Sequence, residues 1–415
     1  MEAQEPQAGT ARNIYIVLAA AYVASQFYRV ANAAIAPELM ADLALSAEAM
    51  GVVTGVFFLA FAAAQIPAGI LLDRFGPRHT MSVLFLVAVL GALLFGLAQD
   101  AATLGVARVL IGVGCATGLM GSMVAISRWF PRERFAQLSS LLFVVGGAGT
   151  LLATTPLAWA AAEIGWRGAF LAMAGLTGVF AFLLYAVVRD APPGHATETD
   201  RESWAEVLSG LWRVLRNGEL WKIGALQFVA YASIITVVGL WAGPYLSDVH
   251  GLDTVARGNA LLLLNVASLA GVMLYGWVDR HAASRKRLLV GGALATAALA
   301  LLLAFSPALG FPAAMLLLTL FAVLGNYVML IHAYARSILP DRLVGRGLTL
   351  QNLAVFLGIA VLQSASGPIV GAYGPAGGGA PEDAYRAVFL FLALCLAAAA
   401  LVFAAAREPG RAVAG

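Results

Sequence analysis

Long apolar runs, each near the length that crosses a bilayer, recur about twelve times along the 415 residues. They fall at 13–36, 47–72, 80–98, 102–127, 136–162 and 168–188, then at 221–247, 256–278, 288–306, 309–335, 345–372 and 385–406; they are numbered spans 1 to 12 in this order. Short polar segments separate them, except for a longer one at 189–220 that divides the spans six and six. The pattern predicts an all-α integral membrane protein: a six-helix bundle over 1–188, a linker over 189–220 and a second six-helix bundle over 221–415. Within the linker, Trp204, Val207, Leu208, Leu211, Val214 and Leu215 recur at helical spacing beside Arg213 and Arg216. That spacing predicts an amphipathic helix lying on the membrane surface.

Composition agrees with this reading and narrows it. The chain is 61% hydrophobic and 11% charged, against about 25% charged in soluble proteins, and its mean hydropathy is +0.87. The two cysteines, Cys115 and Cys395, both fall within spans and imply packing, not a disulfide framework. The loops hold no nucleophile–base–acid set, no HExxH and no phosphate-binding loop, which argues against an enzyme; no cofactor or resident metal is expected.

Charge sets the topology. With the N-terminus in the cytoplasm, the inner segments carry Arg12, Arg74, Arg78, Arg128, Arg132, Arg134, Arg189, Arg201, Arg213, Arg216, Lys222, Arg280, Arg285, Lys286, Arg287, Arg336, Arg342, Arg346, Arg407 and Arg411. The outer loops carry only Arg167, Arg257 and Arg386. This asymmetry predicts a multi-pass protein of the cell inner membrane with both termini cytoplasmic, and it makes the net charge of +3 a topological bias, not a nucleic-acid footprint.

The two halves repeat one another. G-I-L-L-D-R-F-G-P-R at 69–78 is answered by G-W-V-D-R at 276–280, W-F-P-R-E-R at 129–134 by I-L-P-D-R-L at 338–343, and G-W-R-G-A-F at 165–170 by A-Y-R-A-V-F at 384–389. Such halves characterise secondary transporters. Here the chain resembles the major facilitator superfamily over essentially its whole length. Gly69, Asp73, Arg74, Gly76 and Arg78 match that superfamily's signature between spans 2 and 3, with Asp279 and Arg280 as the second copy, and Arg108, Gly112 and Gly114 fit its fourth-span R-x-x-x-G-x-G pattern. The resemblance implies two pseudo-symmetric six-helix bundles around a cavity that opens alternately to each side. It also implies a monomer as the default, and gating roles for the signature residues, with Asp73 able to latch the cytoplasmic side. Span 5 departs from the pattern of the drug–proton antiporters in this superfamily, since G-G-A-G-T-L-L-A-T-T-P at 146–156 contains no Gly-Pro pair.

Two arginines lie inside spans: Arg29, in Q-F-Y-R-V-A-N of span 1, and Arg108, in the outer half of span 4. A cation at this depth costs at least about 2.5–3.5 kcal/mol on insertion scales and marks a pathway or ligand site. None of the twenty-two carboxylates lies mid-span. A guanidinium pairs bidentately with a carboxylate and does not shed its proton, so Arg29 and Arg108 are expected to bind a substrate anion. The Arg29 segment resembles the first-span Tyr-x-Asp-Arg of organic-anion symporters in the superfamily, but Tyr28 replaces their acid and their proton-coupling group does not carry over. Tyr231 in span 7 and Asn326 and Tyr327 in span 10 are the expected cavity residues of the second half, because spans 7 and 10 mirror 1 and 4. His332, with an unperturbed pKa near neutrality, is the candidate proton carrier, and H+ the candidate coupling ion.

The expected function is alternating-access secondary transport of a small organic anion, a carboxylate, with the lipid bilayer as the other partner. The alternatives are export of hydrophobic or zwitterionic compounds, copper import through Met120, Met123, Met329, His332 and Cys115, and a non-transporting membrane receptor or assembly factor.

Overall fold

The computed structural model describes residues 4–192, 218–338, 344–374 and 379–408. The predicted amphipathic helix of the linker lies outside the described residues, as do Asp341 and Arg342 of the span 10–11 repeat. Among the described residues no strand occurs, and ten helices are long and apolar enough to cross a membrane.

Two of those helices hold two passes each, which accommodates the twelve predicted spans. Ala47–Gly96 has 50 residues, enough for about 75 Å if straight. It folds back instead at Gly76, whose φ of 75° is open to glycine but strained for other residues. The fold-back lets the Thr80 hydroxyl donate to the Leu71 carbonyl at 2.9 Å. It also sets Phe57 against Gly112 and Ala88 against Gly114, so spans 2 and 3 both pack on span 4. Glu133–Val187 is similarly interrupted, at Thr154 (φ −107°, ψ −111°) and again at Gly165 (φ 73°). Side-chain caps fix several helix starts: Ser46 accepts from the Ala49 amide at 3.2 Å, Asp100 from Thr103 at 2.7 Å and Asp253 from Ala256 at 2.7 Å.

The duplication is visible bond by bond. Arg167, at the start of span 6, donates to the Ala98 carbonyl after span 3 at 3.0 Å; Arg386, at the start of span 12, donates to the Ala304 carbonyl of span 9 at 2.7 Å. Asp42, ending span 1, accepts from Trp166 at 3.1 Å and pairs with Arg167. Asp248, ending span 7, accepts from the Tyr385 hydroxyl at 2.5 Å. Gly149 of span 5 rides on the Val23 carbonyl of span 1, and Gly358 of span 11 on the Phe228 carbonyl of span 7; added Cβ atoms would sit 2.1 and 1.8 Å from those oxygens. Such crossings need residues without side chains, because apolar tails in lipid provide no hydrophobic drive and helices are held by close packing.

Spans 4, 7 and 10 are irregular. Span 4 breaks at Ala116 between Ala101–Cys115 and Thr117–Trp129, span 7 contains a π-turn at Val237–Trp241, and span 10 a 3₁₀ turn at Gly325–Val328. Local departures of this kind often mark functional stretches.

Candidate functional site

One end of the bundle is poor in arginine, and there the halves are joined. Arg257, at the start of span 8 and only 2% exposed, donates to the Ala34 carbonyl of span 1 from Nε at 3.2 Å and Nη2 at 2.9 Å, and it pairs with Glu38. Thr254 donates to the same carboxylate at 2.6 Å, and Thr155 to Asn259 at 2.9 Å. Gly51 and Gly55 of span 2 press on the backbone of span 11 at Gln363 and Ala360, and Gly243 of span 7 on the Ala33 carbonyl.

Below this seal a half-buried stripe runs along span 1. Val23, Gln26 and Arg29 are half-buried, whereas every residue from Val30 to Ala36 is buried. Span 7 behaves alike: Gly224, Phe228 and Tyr231 are half-buried, and residues 232–246 are all buried. The half-buried residues of both spans thus lie toward the arginine-rich end and give out at Arg29 and at Tyr231, about one turn apart when the halves are overlaid on Val23/Phe228 and Asp42/Asp248.

Arg29 sits against a pair of touching rings contributed by opposite halves. Its guanidinium carbon lies 4.6 Å from the centroid of Phe61 in span 2 and 5.3 Å from that of Phe356 in span 11, and the two rings approach to 4.5 Å. Its charge acts electrostatically on Tyr22, Tyr231 and Cys115. Nε is buried without a partner, and among the described residues no carboxylate pairs with this arginine. Cation–π contact covers one side of the guanidinium and leaves the rest of it for a ligand.

Arg108 is fully buried one layer behind. Its Nη1 donates to the Tyr28 carbonyl at 2.8 Å, its carbon stands 4.4 Å over the Phe57 ring, and Nε and Nη2 have no partner. It thus grips span 1 at the residue preceding Arg29. Tyr28 points the other way, sharing a hydrogen bond of 2.8 Å with Thr177 in span 6.

The second half brings together only part of the predicted set. Tyr231 reaches the surroundings of Arg29. Asn326 is buried and donates to the Ala322 carbonyl at 2.6 Å. Tyr327 turns toward Gly292 of span 9 and Tyr275 of span 8, at 6.3 Å between rings, because the 3₁₀ turn rotates it off the face read from α-helical spacing. His332 is half-buried and meets Gln227 of span 7, whose Nε2 lies 3.4 Å from the imidazole Nε2. Of the sulfur residues, Met120 packs toward Gly69 while Met329 is exposed, so they do not converge on His332.

The signature residues occupy the arginine-rich end. Gly76 makes the turn, Arg78 donates its amide to Asp190 at 2.9 Å and its Nε to the Tyr185 carbonyl at 2.8 Å, and Asp73 and Arg74 are exposed. In the second copy Asp279 pairs with Arg285, through bonds of 2.7 and 2.6 Å, whereas Arg280 only donates to the Gly276 carbonyl at 3.3 Å. Phe61, Phe356, Arg257 and Asp190 were not singled out from sequence. Phenylalanines in apolar runs look like lipid-facing ones, and the other two read as ordinary loop charges.

The chain belongs to the Major Facilitator Superfamily, whose model matches residues 17–362. Among curated relatives it is similar to a protein of Cupriavidus necator named as a probable sulfoacetate transporter, SauU, with 27% identity over 63% of this chain and 63% of that protein. It is also similar to the probable L-galactonate transporter of Escherichia coli K12 (24% identity, 76% of this chain, 73% of that one) and to the membrane sensor protein UhpC of the same organism (22%, 64% of each). The chain thus spans a little under two thirds of the first of these relatives. Among solved structures, a bacterial homolog of the human lysosomal transporter Spinster, inward-facing and unoccupied, matches with a TM-score of 0.75 at 17% identity, covering 96% of this chain and 95% of that one. The nucleoside transporter NupG matches with a TM-score of 0.72 at 11% identity, covering 95% of this chain and 98% of that one. At these identities the structural matches speak for the fold alone.

Proposed function

We propose that this protein is a secondary transporter that carries a small organic anion, a carboxylate, across the inner membrane by alternating access. One observation carries the reading: Arg29 stands where the half-buried stripe of span 1 ends, against rings from both halves, and among the described residues no carboxylate pairs with it. Binding an anion there removes the cost of enclosing an uncompensated cation, so the loaded site can close where the empty one resists. Arg108 holds the Tyr28 carbonyl and so positions Arg29. Tyr231 faces the ligand from the second half, with Asn326 behind it; Tyr327 takes a packing role. His332, bonded to Gln227 beside the entrance, is the proton carrier if H+ is the coupled ion. The arginine-rich end is cytoplasmic, and Arg257–Glu38 closes the outer side. The named substrates of the relatives, sulfoacetate and L-galactonate, are both organic anions, which supports the class.

The test is uptake of labelled sulfoacetate and L-galactonate, and of a wider carboxylate panel, into proteoliposomes of the purified protein, run as a monomer on size exclusion. At least one carboxylate should accumulate, and Arg29→Gln should abolish its uptake while the variant stays folded. Undiminished uptake by Arg29→Gln would remove the clamp. The likeness to a membrane sensor favours a second reading, ligand capture without flux; it predicts that the same anions raise the melting temperature but never enter vesicles.

A further inference from the structure

Between spans 2 and 4, at the arginine-poor end, a groove with apolar walls opens toward the lipid. It encloses about 550 Å³, inside the range of about 300–1,000 Å³ usual for small-molecule sites. Val52 and Val56 of span 2 face Gly105, Val106 and Val109 of span 4 across it, and Glu48 stands at its mouth. Val52 and Val106 are exposed, so the groove is not sealed by protein. Gly105 gives the space independently: a Cβ added there meets nothing within 4 Å. Glu48 lies in the first turn of span 2, and Ala101 opens span 4, so the groove starts at the membrane surface. The eight residues from Glu48 to Val56 carry it about 12 Å inward, against about 15 Å for half of a hydrocarbon core. It therefore follows one leaflet through most of its depth, as an acyl chain does.

The mouth carries charge of one sign. Glu48 is exposed, and among the described residues no cation pairs with it. Its carboxylate lies across Gly371 of span 11, where an added Cβ would stand 2.2 Å from Oε1, so the absence of a side chain there gives the carboxylate its seat. Asp100, next to Ala101, adds a second negative charge while capping span 4 through the Thr103 amide. Arg167, bonded to the nearby Ala98 carbonyl, is taken up by Asp42. We propose that this groove binds one phosphatidylethanolamine molecule, with an acyl chain along the valines and the headgroup ammonium on Glu48. A primary ammonium brings three donors, enough for Glu48 and for the lipid's own phosphate. Burial of the chain favours any phospholipid alike, so the carboxylate at the mouth does the selecting, against anionic headgroups.

The experiment titrates the full-length protein in detergent with dioleoyl-phosphatidylethanolamine and with dioleoyl-phosphatidylglycerol, following retained lipid by native mass spectrometry and stability by thermal shift. The ethanolamine lipid should bind roughly tenfold more tightly, because exchanging the headgroup turns an attraction at Glu48 into a repulsion. Glu48→Gln should bring the ratio close to one, through weaker binding of the ethanolamine lipid. Gly105→Leu sends its side chain into the open groove and suits a helix better than glycine, so without lipid it should melt no lower than the parent. It should nevertheless lose the retained ethanolamine lipid and the stabilisation that accompanies it. Equal binding of the two lipids by the parent, or a preference that survives Glu48→Gln, would overturn the headgroup assignment. Retention undiminished by Gly105→Leu would overturn the groove as the site. Neither variant touches Arg29, so the transport reading stands or falls separately.

Discussion

Replacing Arg257 by methionine should unseal the arginine-poor end, and the structure sets the size of the effect. The wild-type side chain is 2% exposed and makes bonds to Ala34 and Glu38 that tie span 8 to span 1. Methionine fills similar volume but strands the Glu38 carboxylate, of which Oε2 already lacks a partner. Removing one member of a buried pair costs about 3–5 kcal/mol; because Glu38 keeps 28% exposure, the lower end applies, about 3 kcal/mol. That penalty falls on the sealed state alone, since opening returns Glu38 to water, so the sealed-to-open ratio should drop by roughly two orders of magnitude. The assay is the rate at which a membrane-impermeant maleimide, added from outside, labels Ala36→Cys in a background lacking Cys115 and Cys395. Ala36 is fully buried behind the latch, so labelling reports opening. Arg257→Met should speed it about a hundredfold, and the double variant Glu38→Leu with Arg257→Met should return most of the way to the parent, because two apolar partners leave no charge unpaired. A single variant as slow as the parent, or a double as fast as the single, would refute the reasoning.

Gly358→Ala should lower the melting temperature sharply, since the new Cβ would stand 1.8 Å from the Phe228 carbonyl oxygen; overpacking of this kind costs about 1–3 kcal/mol, and unchanged melting in detergent would show that spans 7 and 11 part freely. His250, in the loop between spans 7 and 8, packs edge-on against Tyr245 and Phe311, at 5.1 and 5.8 Å, and this burial holds its imidazole below the ordinary value of about 6.5 despite the pull of Glu382. A lowered folded pKa means the unfolded chain binds the proton more tightly, so this contribution is complete above about 6.5 and is lost as pH falls through the folded value. His250→Phe should therefore flatten the fall in melting temperature between pH 7.5 and 5.5; an unaltered slope would assign the acid sensitivity elsewhere.

Hydropathy was enough to place the spans, because it is a local property that lipid reads residue by residue. The repeated motifs were legible too, and the structure gives one pair of them a shared purpose: Arg167 and Arg386 bond to matching carbonyls. Legibility failed where a residue's meaning depends on what another helix brings to it. Arg257 reads as one of three outer-loop charges until Ala34 and Glu38 of span 1 arrive beside it. Asp190 looked like the start of a linker, yet it accepts the Arg78 amide and lies under Gly76, where an added Cβ would fall 2.2 Å from its Oδ1. Tyr327 was misaimed because the helical period it was read with does not hold through the turn at Gly325–Val328.

The uncompensated charge on Arg29 also bears on energetics across the membrane. In the proposed cycle a bound monoanion cancels the charge of Arg29, and the loaded site carries only that of Arg108 behind it. Empty, it carries a fixed positive charge near the middle of the field. A full crossing of one elementary charge is worth about 2.3 kcal/mol per 100 mV, and any fraction of that path traversed by Arg29 takes its share. Membrane voltage, negative inside, then acts on the unloaded return step by drawing Arg29 toward the cytoplasm. On that proposal the empty return step moves more charge through the field than the loaded step and depends more steeply on voltage.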